Sequence, residues 1–112
     1  MISLAAAMVW VWLLACVVCV LAALVSDEIK TRAGLMVAVP FNLGIAYVMW
    51  SVANAKDVLW VLIVALVWMS LEILGSMILL STGESVGTRT GALVRLVASV
   101  LSIVVIIWAM NN

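Results

Sequence analysis

Long apolar runs alternate with short polar segments along the chain. The runs cover residues 4–25, 33–53, 58–80 and 92–110, and each is about 20 residues long, the length that a helix needs to cross the hydrocarbon core. None of the runs alternates polar with apolar residues, and a bilayer admits only helices or closed barrels. The pattern therefore predicts an all-α fold, a four-span transmembrane helical bundle in which residues 1–112 form a single transmembrane domain.

The composition agrees with a membrane protein and argues against several functions. Of the 112 residues, 70% are hydrophobic and 9% are charged, whereas soluble proteins carry roughly 25% charged residues. The formal net charge is zero and no basic run occurs, so we expect no nucleic-acid partner. The chain has no His and two Cys, both inside the first run. We therefore expect no catalytic residue, no metal site and no cofactor.

Basic residues and tryptophans predict the orientation of the spans. Lys30, Arg32 and Arg89 lie in or beside the first and third polar segments, whereas the second segment holds Lys56 beside Asp57. Positive charge favours the cytoplasmic side, so we expect both termini outside the cytoplasm of a bacterial-type inner membrane. Most tryptophans then fall toward the outer side, where aromatic rings anchor spans in the head-group layer. The predicted interfacial anchors are Trp10, Trp50, Trp60 and Trp108, with Trp12 following the same trend, and Arg32 and Arg89 on the opposite side.

Two parts of the chain resemble each other. EIKTRAG precedes the second run and ESVGTRTG precedes the fourth, and the first and third runs open with VWVWLLA and LWVLIVA. We interpret this either as a tandem repeat of two helical hairpins, related by an axis along the membrane normal, or as chance likeness between apolar segments. In both segments Thr31 and Thr88 are expected to cap the helices that follow them.

Glu72 interrupts the third apolar run well away from either end. At 1.5 Å per residue it lies about 13 Å inside the bilayer, where an unpaired carboxylate is costly. Asn42 and Arg95 lie at comparable depths in the second and fourth runs, and the long Arg side chain can reach across the difference. We therefore expect an intramembrane polar cluster of Glu72, Arg95 and Asn42. It is either a structural ion pair or a proton or cation site centred on Glu72.

Other residues leave both a structural and a functional interpretation open. Cys16 and Cys19 share one helical face and suit either plain packing or soft-metal and redox chemistry. Pro40 permits a kink in the second span, which is common in membrane helices and also occurs at gates. Small residues just before and within the fourth run let a neighbouring helix approach closely, in the bundle or between protomers, and predict helix packing there. They are Gly87, Gly91, Ala98 and Ser102.

Two short segments resemble parts of the small multidrug resistance transporters. GIAYVMWS at residues 44–51 resembles a signature in that family's third helix, and LEILGSMIL around Glu72 resembles the segment that carries its essential carboxylate. The resemblance implies a dimeric exporter in which Glu72 exchanges protons for a cationic substrate. In the family, however, the carboxylate helix comes first. Because the order is reversed here, we interpret the likeness as convergence of apolar sequence.

These features together predict a non-catalytic function. We expect a small multipass membrane protein that acts by assembly, as a homo-oligomer or as a subunit of a larger membrane complex. Its expected partners are the lipid bilayer and further copies or other membrane proteins. One alternative is a proton-coupled small-molecule transporter that uses Glu72, and another is a phage-type holin or exclusion protein.

Overall fold

The chain forms four helices in the computed structural model, which describes residues 2–83 and 85–111. Glu84, in the third polar segment, lies outside the described residues. The helices are α1 (Ile2–Val25), α2 (Ile29–Ala53), α3 (Leu59–Thr82) and α4 (Val86–Met110). Each is long and apolar enough to cross a membrane. The predicted all-α, four-span bundle is therefore confirmed.

Two helices begin at least four residues earlier than the apolar runs predict. α2 begins at Ile29 rather than at residue 33, and α4 begins at Val86 rather than at residue 92. Polar and basic side chains are tolerated in the head-group layer, so a helix can continue beyond the hydrocarbon. Hydropathy therefore marks the edge of the hydrocarbon core, and the helix itself ends further out.

The expectation that Thr31 and Thr88 cap α2 and α4 is wrong. Glu28 precedes α2, and its side chain makes no capping hydrogen bond. Ser85 precedes α4, and the backbone N–H of Thr88 donates to its Oγ at 3.0 Å. A cap residue needs an extended backbone, which Ser85 has with φ −107° and ψ 153°. Thr31 and Thr88 already lie within the first helical turn.

The helices form two hairpins. Loop 1 (residues 26–28) joins α1 to α2, loop 3 (residues 83–85) joins α3 to α4, and loop 2 (residues 54–58) connects the hairpins. Between hairpins, α2 contacts α3 and α4, and α4 also contacts α1. Within the described residues no Cα atom of α1 lies within 8 Å of a Cα atom of α3. The helices α2 and α4 thus lie centrally and α1 and α3 on opposite flanks.

A shift of 57 residues relates the first hairpin to the second. The bounds of the helices coincide under this shift: Ile2 with Leu59, Val25 with Thr82, Ile29 with Val86, and Ala53 with Met110. Buried residues coincide as well, and examples are Trp12 with Met69, Val48 with Val105, and Met49 with Ile106. These equivalences support the tandem-repeat interpretation. The Thr-Arg pairs obey the shift, whereas VWVWLLA and LWVLIVA lie at residues 9–15 and 59–65 and are not equivalent.

The core of the bundle lies in the half of the molecule nearer to loop 2. There α2 buries residues between Asn42 and Val52, and α4 buries residues between Ala98 and Ala109. In the other half, residues 29–41 of α2 are all at least partly exposed, and Ala92 is the one buried residue of α4 before Ala98. The faces of α2 and α4 that are buried near loop 2 are thus exposed near loops 1 and 3. We infer that the two hairpins diverge toward loops 1 and 3.

Candidate functional site

Polar side chains from three helices meet at the level where the hairpins diverge. Nε of Arg95 on α4 donates to Oε1 of Glu72 on α3 at 2.5 Å and forms a salt bridge. Nη2 of Arg95 donates to Oδ1 of Asn42 on α2 at 3.1 Å. The structure thus brings together the three residues of the predicted polar cluster. Arg95 links one hairpin to the other.

The cysteines connect α1 to this cluster. Nδ2 of Asn42 donates to Sγ of Cys19 at 3.7 Å, and Sγ of Cys16 donates to the carbonyl of Val39 at 3.7 Å. Both cysteines are buried free thiols. Among the described residues there is no group of three metal-ligating side chains. The contacts of the two thiols hold α1 against α2.

Protein covers most of the ion pair and leaves part of it exposed. The side chains of Arg95 and Glu72 keep 29% and 19% of their surface exposed. On the covered side, the guanidinium carbon of Arg95 lies 5.6 Å from the ring centroid of Trp12. Counted along the helices, the pair lies about 14 Å from the end that carries loops 1 and 3. Charges at that depth need a polar environment on their uncovered side.

A buried polar layer lies next to the ion pair on the side of loop 2. Nε1 of Trp12 donates to Oγ of Ser102 at 2.9 Å, which joins α1 to α4 across the hairpins. Trp12 is 1% exposed, so the expectation that it belongs to the interfacial belt is wrong. Ser99, the repeat equivalent of Asn42, is fully buried, and its Oγ has no partner among the described residues. Sequence reasoning missed the burial of Trp12 and did not single out Ser99, although Trp12 lies one turn before Cys16 on the face of the cysteines.

The small residues on α4 divide into two groups. Ala98 and Ser102 are buried in the core between the hairpins. Gly87 and Gly91 are exposed, and a Cβ added at either position would meet nothing within 4 Å. Within the described part of a single chain no helix packs on these two glycines, so packing there between protomers stays a prediction.

Arg32 and Arg89 close the two hairpins in the same way. Nε of Arg32 donates to the carbonyl of Ala23 at 3.1 Å, and its Nη2 donates to that of Ser26 at 2.6 Å. Nε of Arg89 donates to the carbonyl of Gly83 at 2.8 Å. Carbonyls at the end of a helix lack partners within the helix, and a basic side chain can bind them. The arginine of each repeated Thr-Arg motif thus binds its helix to the end of the preceding helix or to the loop after it.

An aromatic groove of about 360 Å³ runs between α2 and α3 on the loop 2 side of the ion pair. Tyr47 and Trp60 line it, and Phe41 stacks on Trp68 with ring centroids 4.1 Å apart. A second groove of about 330 Å³ lies between α1 and α4, at the position equivalent under the repeat, but its lining is aliphatic. The two grooves between the hairpins thus lie at equivalent positions, and the chemistry of their linings differs.

The predicted aromatic anchors differ in exposure. Trp10, Trp50 and Trp60 are exposed, and Trp108 is half-buried. Nζ of Lys56 lies 5.6 Å from the ring centroid of Trp50 at the loop 2 end. The depth of these rings in a bilayer stays a prediction.

No protein-family model matches the chain, and neither does any curated protein or solved structure with which it was compared. The function is therefore inferred from the polar cluster and from the surfaces of the helices.

Proposed function

We propose that this chain is a non-catalytic membrane component that works by assembly, with copies of itself or inside a larger membrane complex. The observation that carries the proposal is the pairing of Glu72 with Arg95. They are the two charged residues of the sequence that lie deep inside the spans. A carboxylate held by an arginine, with further hydrogen bonds around it, fixes neighbouring helices to one another.

The outer surfaces of the helices are then the main feature that the chain presents to its surroundings. In an 18-residue window of each helix, between 22% and 39% of the residues are buried within the chain, so most of every span faces lipid or other subunits. Many of the exposed residues are large and apolar. Transmembrane helices associate through packing of such surfaces and through small residues.

The particle mass after purification in mild detergent from the native source tests this proposal. We expect a defined homo-oligomer or a complex with other proteins, either of them larger than the 12.0 kDa chain. A very large homo-oligomer would favour the holin-type alternative. A folded monomer as the sole species would contradict assembly.

A proton-coupled transporter is the second candidate, and the partial exposure of the ion pair beside the aromatic groove favours it. Its test is pH-dependent flux of a cationic aromatic solute into reconstituted vesicles. If Glu72→Gln leaves the particle intact and abolishes that flux, transport becomes the first candidate. If flux is absent from the wild-type vesicles, assembly remains first.

We further propose that both termini lie outside the cytoplasm of a bacterial-type inner membrane. Lys30, Arg32 and Arg89 lie at the end with loops 1 and 3, whereas the other end has Lys56 beside Asp57, and positive charge favours the cytoplasmic side. A fusion at Asn112 to a reporter that is active only outside the cytoplasm should give a signal, and a fusion at Asp27 should not. The reverse pattern would reject this orientation.

A further inference from the structure

Three glycines from three helices surround the approach to the ion pair from loops 1 and 3. Gly34 of α2, Gly75 of α3 and Gly91 of α4 all lie between the ion pair and that end of the molecule. All three are exposed. A Cβ added at any of them would meet nothing within 4 Å, so open space adjoins each of these helices.

Helical spacing places the glycines on the faces that carry the polar cluster. Gly91 lies one turn before Arg95, Gly75 lies one turn after Glu72, and Gly34 lies two turns before Asn42. Because the three polar side chains bind one another, these faces border the same gap between the diverging hairpins. The gap therefore leads from loops 1 and 3 to the uncovered side of the ion pair.

Other faces of the same helices have a different composition at this level. Met36, Met77 and Leu93 are about half exposed, and each lies two residues from one of the glycines. Large apolar side chains suit contact with lipid. A charged pair gains nothing from lipid, whereas water solvates both the charges and the backbone that glycines leave bare.

We propose that this gap is a water-filled vestibule, which opens at loops 1 and 3 and ends at Glu72 and Arg95. It hydrates the uncovered side of the ion pair and brings small hydrophilic ions to that level. Beyond the pair, the stack of Phe41 on Trp68 and the buried core close the path. The vestibule goes beyond assembly, because it requires no second subunit.

Ser99 gives independent support for water at this level. It lies one turn beyond Arg95 on α4 and is fully buried, and no described residue bonds its Oγ. Buried hydroxyl groups almost always have a partner, and ordered water is a frequent one. A water molecule at the closed end of the vestibule would supply that partner.

Cysteine accessibility in the full-length protein tests the vestibule. Gly34→Cys, Gly75→Cys and Gly91→Cys are each compared with a lipid-facing control on the same helix, in a Cys16→Ala, Cys19→Ala background. The controls are Met36→Cys, Met77→Cys and Leu93→Cys. A charged, membrane-impermeant maleimide reacts with the thiolate in water, so we expect the glycine positions to be labelled at least about tenfold faster when it is added on the side of loops 1 and 3.

Equal, slow labelling of both sets would overturn the vestibule. Slow labelling combined with disulfide cross-links between copies at Gly91→Cys would also overturn it, because a second subunit would then fill the gap; the assembly proposal would stand. If a glycine variant fails to fold, Ala38→Cys gives the same measurement one turn beyond Gly34, with Val37→Cys as its control. Faster labelling from the loop 2 side would contradict the proposed opening.

Discussion

Arg95 makes polar contacts with both hairpins. Its guanidinium binds Glu72 inside its own hairpin, binds Asn42 in the other, and lies against the ring of Trp12. Removing a charge from water costs several kcal/mol, and its partner offsets that cost only when the geometry and the additional hydrogen bonds are good. Removing one charge of the pair should therefore cost more stability than removing both.

Glu72→Gln and Arg95→Gln should each destabilise the folded protein by about 1.5 to 3 kcal/mol, because each leaves one partly exposed charge without its partner. The double variant should recover part of that loss. Thermal unfolding followed by tryptophan fluorescence in detergent, together with the yield of assembled protein, measures the three variants. A double variant whose loss equals the sum of the single losses would contradict the coupling.

The hydrogen bond from Trp12 to Ser102 should contribute measurably to stability. Ser102→Ala leaves the buried indole N–H of Trp12 without its acceptor, and we expect a loss of about 1 to 3 kcal/mol. Ser70→Ala is the matched control, because Ser70 is exposed and bonds the Leu66 carbonyl of its own helix; its effect should stay within about 0.5 kcal/mol. Equal effects of the two changes in thermal unfolding would argue against this role.

The depth of each residue in the membrane, counted from the ends of its span, was enough to predict the proximity of Glu72, Arg95 and Asn42. Counting residues from the ends of a span gives the position of a side chain along the membrane normal. It does not give the rotation of the helix in the bundle when nearly every face is apolar. For that reason the burial of Trp12 and the isolation of Ser99 were not predictable from depth.

At the scale of the helix, the end of α2 shows an unusual choice of residue. The N–H of Lys56 donates to the Ser51 carbonyl at 2.8 Å, and that of Ala55 donates to the Val52 carbonyl at 3.2 Å. This is the pattern of a Schellman motif, which usually has glycine at the left-handed position. Here Ala55 occupies that position, with φ 55°. The Cβ of alanine disfavours this conformation.

Ala55→Gly should therefore stabilise the protein by about 1 kcal/mol. Ala53→Gly is the control, since Ala53 is the last residue of α2, and glycine within a helix should destabilise by up to about 1 kcal/mol. Opposite shifts of the thermal midpoint are expected for these two neighbouring changes. If both changes lower the midpoint, the left-handed backbone at Ala55 does not limit stability.

The helices themselves were predictable because hydropathy reports directly on the hydrocarbon core. Their starts were not, because the first turns of α2 and α4 contain polar residues that hydropathy assigns to loops. The cap at Ser85 depends on where the backbone becomes extended, and several Ser and Thr residues near loop 3 fit the same cap preference. For that reason the residue that caps α4 could not be predicted from residue type alone.

At the scale of the whole molecule, packing within each hairpin is more extensive than packing between them. Within a hairpin, the helices touch along their length and an arginine locks the loop. Between hairpins, contacts are fewer and the buried residues lie mainly in the half near loop 2. The repeated Thr-Arg motif revealed the equivalence of the hairpins, but the divergence of the hairpins arises from packing that this motif does not encode.

Two fragments, residues 1–55 and 56–112, should therefore reassemble when they are expressed together in one membrane. Each fragment contains a complete hairpin, and the break in loop 2 keeps intact the four helices whose contacts join the hairpins. Those contacts include the hydrogen bonds from Arg95 to Asn42 and from Trp12 to Ser102.

An affinity tag on one fragment should capture the other. Arg95→Gln in the second fragment should reduce this capture, whereas Val100→Ala, a change on an exposed face of the same helix, should not. If the wild-type fragments are each inserted but do not co-purify, the hairpins depend on their covalent connection, and the polar contacts are too weak to hold them together.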